Sequence, residues 1–338
     1  MLRIDADAHV IENERTWEYM AGADAQYKPF TVVDEATRKR YWAIDGRLVG
    51  RDGNEGDEMS RESREMHDIA ARLAHIDQLE VDIQVLFPSL FLRPLTNRPA
   101  VEAALCRSYN RWLADIWSQG GDRLRWAAIL PLMSMDATLE EVRFAKEHGG
   151  CALYTRGIFE NRMLTDPYYY PLYELASELS MPVCIHAATP SFEWEETFAN
   201  EIGFAKFKLP AVSTFHAMLA DGLPSRFPKL RVGFIEVSSQ WIPYALHDLA
   251  KRLQRRGRAL PKDVLRESRM YVACQVDDDV PYVLSYAGED NLVIGSDYGH
   301  ADTATEIDAL TKLQHLEGLS TTAVSKILDD NARALYGL

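Results

Sequence analysis

Cysteine is scarce and scattered. The 338 residues hold four, Cys106, Cys151, Cys184 and Cys274, with no CxxC pair among them. That excludes a zinc ribbon and a disulfide scaffold. Three of the four lie in apolar, strand-like runs, where cysteine behaves as a small buried hydrophobe. A reducing cytoplasm is the expected compartment. Basic charge is also short. Against 51 acidic residues stand 37 lysines and arginines, a formal net charge of −14. No basic stripe is left to grip a phosphate backbone, so nucleic acid is not an expected partner. The one basic run, Lys251–Arg258, closes a helical pattern, where cations suit the dipole. No apolar run approaches a membrane span and no charged-then-apolar leader opens the chain, so no membrane association is expected. Pro- or Ser-rich linkers are missing as well, and one domain over residues 1–338 is expected.

What the sequence has in abundance is alternation. Short apolar runs at Leu2–Asp7, Asp82–Phe87, Leu124–Leu130, Gly150–Thr155, Pro182–His186, Leu230–Glu236, Met270–Cys274 and Asn291–Asp297 read as strands. Amphipathic stretches separate them. In Pro99–Gln119, for instance, Tyr109, Trp112, Leu113 and Ile116 recur at helical spacing. Strand–helix alternation implies parallel strands, and eight such units imply an α/β fold closed as a (β/α)8 TIM barrel. One segment breaks the rhythm. Residues 10–60 are polar and irregular and read as a long insertion after strand 1, at the catalytic rim.

Ionisable residues end several of these runs. In Ile4-Asp5-Ala6-Asp7-Ala8-His9, Asp7 and His9 are two apart and point to the same side of a strand. Together they offer one oxygen and one nitrogen to a divalent metal. The fifth run closes on His186, the sixth on Glu236 and the eighth on Asp297. All would meet at the C-terminal face of the barrel, where barrel active sites assemble. Burying so many unpaired ionisable groups is costly unless a cation neutralises them. Arg156 ends the fourth run, where a ligand's carboxylate would suit its bidentate geometry. Trp17 and Tyr298, with Trp241, could wall an apolar substrate pocket.

The sequence resembles the amidohydrolase superfamily, in the branch that holds aminocarboxymuconate-semialdehyde decarboxylase and resorcylate decarboxylase. The resemblance rests on ordered pieces along nearly the whole chain. These include Ile4-Asp5-Ala6-Asp7-Ala8-His9-Val10, Val85-Leu86-Phe87-Pro88, Pro182-Val183-Cys184-Ile185-His186, Ile235-Glu236 with Trp241-Ile242-Pro243, and Gly295-Ser296-Asp297-Tyr298-Gly299-His300. It implies that Asp7, His9, His186 and Asp297 bind one metal, zinc or manganese, and that Asp297 shares a proton with a metal-bound water. Hydrolysis or non-oxidative decarboxylation of a small organic substrate, carboxylate-bearing or aromatic, would follow. The chain departs from the pattern in three places. Glu236 stands where many decarboxylases carry a histidine, strand four ends in Ala152-Leu153-Tyr154-Thr155-Arg156 with no bridging lysine or glutamate, and Gly299 replaces the usual proline.

His216 is the odd residue, in an amphipathic helix just before strand six. In the architecture that the resemblance implies, this helix begins over the mouth of the site. If His216 reaches in, three imidazoles and three carboxylates gather there, enough for two metals with Glu236 or Asp297 bridging. That inventory supports an alternative, a non-haem diiron, oxygen-dependent hydroxylase (monooxygenase), with His216 and Glu236 as extra ligands. In either reading Asp297, Glu236 and His216 are the candidates for proton transfer, and His300 is a candidate to support the ligands from behind. The helical outer face could pair two copies into a homo-oligomer.

Overall fold

The protein is described by a computed structural model over residues 1–51 and 53–338. Asp52, part of the expected insertion, lies outside the described residues. Eight strands run in chain order around one sheet: β1 Ile4–Val10, β2 Ile83–Pro88, β3 Leu124–Ile129, β4 Gly150–Arg156, β5 Val183–His186, β6 Val232–Ile235, β7 Met270–Cys274 and β8 Leu292–Ile294. Every ladder between neighbours is parallel. The seam closes beyond the end of β8. Asp297 N donates to Asp7 O at 2.9 Å, and His9 N donates to Tyr298 O at 2.6 Å. Gly295 is required at this seam, since a Cβ there would stand 2.2 Å from Asp7 Cβ.

The strands are buried along their length, as parallel strands covered on both faces must be. Their cover is a ring of helices: α1 Ile69–Gln78, α2 Pro99–Gly120, α3 Met135–Glu147, α4 Tyr170–Glu178, α5 Leu209–Asp221, α6 Ile242–Arg255 and α7 Val280–Ala287. Each helix follows a strand and returns the chain for the next. In α2, Pro99 fits the first turn, where its missing N–H has no partner to lose. Its residues Leu105, Tyr109, Trp112, Leu113 and Ile116 form the buried stripe. The four cysteines are buried and free. No helix among the described residues is long and apolar enough to cross a membrane.

The segment after β1 has more order than its polarity suggests. Phe30–Val33, Arg40–Ile44 and Arg47–Gly50 form an antiparallel sheet of three strands. Asp45 and Gly46 make the tight turn of its second hairpin, with φ of +47° and +77°, the left-handed pair that a two-residue hairpin loop needs. The chain then crosses the barrel mouth. Gly56 N donates to Gly299 O at 3.1 Å, and Asn54 bonds both Ala301 N and the Asp302 carboxylate.

Candidate metal centre

Six side chains converge where β1, β5, β6 and β8 end. Asp7, His9, His186 and Glu236 place donor atoms within 4.8 Å of one another, as do His9, Glu236, Asp297 and His300. His9 and His186 are fully buried, and Asp7, Asp297 and His300 are nearly so. His9 Nε2 lies 3.4 Å from Asp7 Oδ1, 3.3 Å from Asp297 Oδ1 and 3.7 Å from Glu236 Oε2. His186 Nε2 lies 3.3 Å from Asp7 Oδ1.

Hydrogen bonding at the far side of each ring decides what faces inward. His9 Nδ1 meets the Pro88 carbonyl at 2.9 Å, and His186 Nδ1 meets the Ala187 carbonyl at 3.1 Å. A carbonyl can only accept, so each Nδ1 carries the hydrogen and each Nε2 presents its lone pair to the centre. Histidines that ligate metals are held in this way. His9 Nε2, Glu236 Oε2 and Asp297 Oδ1 are buried without a hydrogen-bond partner among the described residues. Unpaired lone pairs and carboxylate oxygens packed this closely are stable only around a cation. The donor set, mixed nitrogen and oxygen, suits zinc, manganese or iron.

The electrostatics agree. Burial alone would raise the Asp7 carboxyl, but the His186 and His9 imidazoles outweigh it and hold Asp7 well below the ordinary carboxylate range. Burial lowers His9 to about 4, helped by His300, which keeps the ring neutral and its lone pair available. Glu236 is pushed well above its ordinary value by burial and by Asp297, Asp302 and Asp7. For His300, burial lowers the ring's affinity for a proton, Asp297 raises it, and the balance is upward. Glu236 and Asp297 also sit at φ of +59° and +53°. That region is unfavourable for residues other than glycine, and such strain concentrates at functional sites.

A shell beneath fixes the ligands. Asp5, one layer below Asp7, accepts from Ser296 N at 2.9 Å, Ser296 Oγ at 2.5 Å and Gln84 Nε2 at 2.8 Å. Burial lifts Asp5 to about 6 despite these bonds. Gln84 in turn accepts from the fully buried Arg72 at 2.7 Å, and both Arg72 terminal nitrogens reach His9 O at 3.2 Å. Asp297 Oδ2 is anchored by the Thr305 hydroxyl at 2.6 Å.

Above the centre opens a cavity of about 330 Å³. Glu236 and His300 form its polar floor, Trp42, Leu90, Leu92 and Phe207 its apolar walls with the buried Arg51 beside them, and Arg93 and Asp302 its charged rim. Ile11, Glu12 and residues 50, 51 and 53–55 also line it, so the segment after β1 faces this cavity. Sequence reasoning missed Asp5, Glu12, Arg72, Arg93 and Asp302. Asp5 at least carried a signal, the two-residue spacing to Asp7.

Four expected site residues stand elsewhere. His216 is on the outer side of the barrel, its Nε2 3.0 Å from Asp248 Oδ2 of α6. It is no part of the ligand cluster, because α5 buries Thr214, Phe215, Met218 and Leu219 and leaves His216 facing α6. Arg156 is buried against Phe159 and donates to Thr189 O at 3.3 Å. It lines a separate cavity of about 40 Å³ rather than the main one. Trp17 is fully buried and stacks edge-on behind Trp42 at 5.9 Å, so Trp42 forms the wall instead. Tyr298 is also fully buried. Its hydroxyl bonds Ser63 at 2.6 Å and His75 at 2.7 Å, and Arg72 stacks on its ring at 3.6 Å. It braces the seam and does not line the cavity.

The fold recurs in solved structures. An amidohydrolase from Mycobacterium avium subsp. paratuberculosis K-10 superposes with a TM-score of 0.82 at 20% identity, covering 100% of this chain and 98% of that one. A 5-carboxyvanillate decarboxylase from Novosphingobium aromaticivorans, complexed with manganese and 4-hydroxy-3-methoxy-5-nitrobenzoic acid, gives 0.71 at 18%, covering 100% and 96%. A dihydroxybenzoic acid decarboxylase from Polaromonas sp. JS666, with bound manganese and 2-nitroresorcinol, gives 0.70 at 17%, covering 100% and 97%. No curated protein matches the sequence. The profile described as amidohydrolase matches residues 4–338, and the chain belongs to that family.

Proposed function

We propose that this protein is a metal-dependent enzyme that removes carbon dioxide, without oxidation, from a small hydroxylated aromatic acid. The observation that carries the reading is the set of buried, unpartnered donor atoms, His9 Nε2, Glu236 Oε2 and Asp297 Oδ1, under an aromatic-walled cavity. The two manganese-bound relatives named above support the substrate class, because both are decarboxylases of aromatic acids. Hydrolysis is the sibling reaction that the same centre could serve.

Asp7, His9, His186 and Asp297 would hold the ion, manganese or zinc. A divalent ion there supplies Lewis-acid polarisation of a substrate oxygen. The chain's own residues do the rest. Trp42 and Phe207 bracket a planar ring, and Arg51 and Arg93 draw an anionic acid to the cavity. Arg51 is already committed to Glu14, so Arg93, whose nearest acid is Glu195 at 3.7 Å, is the freer of the two. The carbon that loses its carboxylate must gain a proton. Asp297 Oδ1 and Glu236 Oε2 are the acids at the floor that can hold and release one. Manganese-loaded protein should release carbon dioxide from at least one member of a panel of hydroxybenzoic acids, and His186→Ala should not. Turnover that survives in His186→Ala, or a metal-loaded protein inert on the panel but active on esters and amides, would defeat this reading.

A second reading is favoured by the second donor group, His9, Glu236, Asp297 and His300. Two irons in such a nitrogen–oxygen site would suit an oxygen-dependent hydroxylase, consuming dioxygen and two electrons from an external reductant.

A further inference from the structure

The donors at the barrel mouth outnumber what one ion takes. Asp7, His9 and His186 place donor atoms 3.3–3.4 Å apart. An ion with bonds of about 2.0–2.1 Å holds neighbouring donors about 3.0–3.4 Å apart, so these three suit one ion. Glu236, Asp297 and His300 remain. Hydrogen-bond accounting orients His300. Ser89 Oγ donates its hydrogen to Val10 O at 2.8 Å, so its oxygen accepts from His300 Nε2 at 2.7 Å. In the neutral ring Nδ1 then carries the lone pair, and it lies 2.8 Å from Asp297 Oδ1. His300 Nδ1 and Asp297 Oδ1 have no partner but each other, and Glu236 Oε2 is buried without one among the described residues.

We infer that a second divalent cation binds at the cavity floor, held by His300 Nδ1, Asp297 and Glu236, beside the ion of Asp7, His9 and His186. Position supports it. Glu236 and His300 line the cavity, whereas Asp7, His9 and His186 lie beneath its lining. Asp297 Oδ1 stands between the groups, 3.3 Å from His9 Nε2 and 2.8 Å from His300 Nδ1, where a carboxylate bridges two ions. Charge supports it too. Three clustered carboxylates with one dication stay net negative in a buried space, and Asp302 adds to that at the rim. A second dication offsets all four carboxylates, so no net negative charge is left to repel an anionic ligand. The inference rests on the first ion proposed above.

The test is metal content and spectroscopy of the full-length protein, stripped with chelator and reloaded with manganese. Wild type should bind two ions per chain and show the paramagnetic coupling of a bridged pair. His300→Ala and His300→Gln should each bind one, with the spectrum of an isolated ion, while His216→Ala should still bind two. A wild-type ratio of one leaves the first ion standing and overturns the second position, as does a ratio of two in folded His300 variants. A wild-type ratio of zero removes the metal centre itself.

Discussion

Asp297→Asn separates charge from shape. The residue sits at φ +53°, a region that Asn, like Asp, tolerates far better than Ala. Alanine there would add about 1–2 kcal/mol of backbone strain and blur the result, so the amide is the informative change. The Thr305 hydroxyl, which donates to Oδ2 at 2.6 Å, can donate equally to the amide oxygen. The NH2 group then faces His9 Nε2 and His300 Nδ1, where a negatively charged oxygen stood. Losing a proton-transfer group costs about 10²–10⁴ in rate, which is about 3–5 kcal/mol of barrier. The metal-free protein should respond in the opposite direction. The Asp297 and Glu236 carboxylates, with oxygens within 4.8 Å, repel by about 3.5 kcal/mol or more at an effective dielectric of 20. Glu236 relieves part of this by taking a proton, which its raised carboxyl favours. The metal-free variant should therefore melt at or slightly above the wild-type temperature, by about 1–3 °C. Turnover is read by carbon dioxide release and stability by calorimetry in chelator. A rate within tenfold of wild type, or a metal-free variant that melts well below it, would refute the assignment.

His186→Ala should lower metal affinity by more than about 100-fold, beyond the loss typical of outer-shell changes, and equilibrium dialysis would show the opposite if His186 is structural. Trp42→Phe should raise KM several-fold with kcat little changed, because Trp42 is cavity wall and not acid or ligand; unchanged KM and inhibitor affinity would mean that the segment after β1 does not touch substrate. Glu102, buried on α2, is pushed by burial from 4.5 up to about 7. Its folded form holds a proton that the unfolded chain gives up, so stability falls as pH rises from about 4.5 through 7. Glu102→Gln keeps an acceptor for Met133 N, at 2.9 Å from the present carboxylate. It should match wild type near pH 4.5 and exceed it at pH 8 by an amount on the order of 3 kcal/mol; a stability difference flat across that range, in urea unfolding, would contradict it.

Much of this centre was legible because the barrel imposes a grammar. An apolar run that stops at an ionisable residue names a strand end; His186 and Glu236 obey it, and Asp297 follows the end of β8 by three residues. The Asp7-x-His9 pair was legible from the two-residue period of a strand. The antiparallel sheet after β1 was missed, although Asp45-Gly46 between two β-prone stretches is a hairpin signal. Its strands are short and lack a buried alternating face that would mark them: of Phe30–Val33 none is buried, and Arg47–Gly50 buries only Val49. The left-handed backbone at Glu236 and Asp297 left no mark at all, since nothing in residue type distinguishes a strained carboxylate from a relaxed one.

The two histidines on which the metal count turns show where sequence reading stops. His216 would join the ligands only if its helix carried it inward over the mouth. Seven residues separate it from Leu209 at the start of α5, and at 1.5 Å per residue it stands about 10 Å down the outside of the barrel. At that depth α5 lies against α6, and Asp248 takes the imidazole. His300 lies in no regular element, only three residues beyond Asp297. Gly299, at φ +109°, turns the chain back so that the ring stacks on His9 at 3.9 Å. Glycine therefore does work at the position where the family usually has proline, whose ring fixes φ near −65° and forbids this turn. This departure from the motif is what brings a sixth donor to the site.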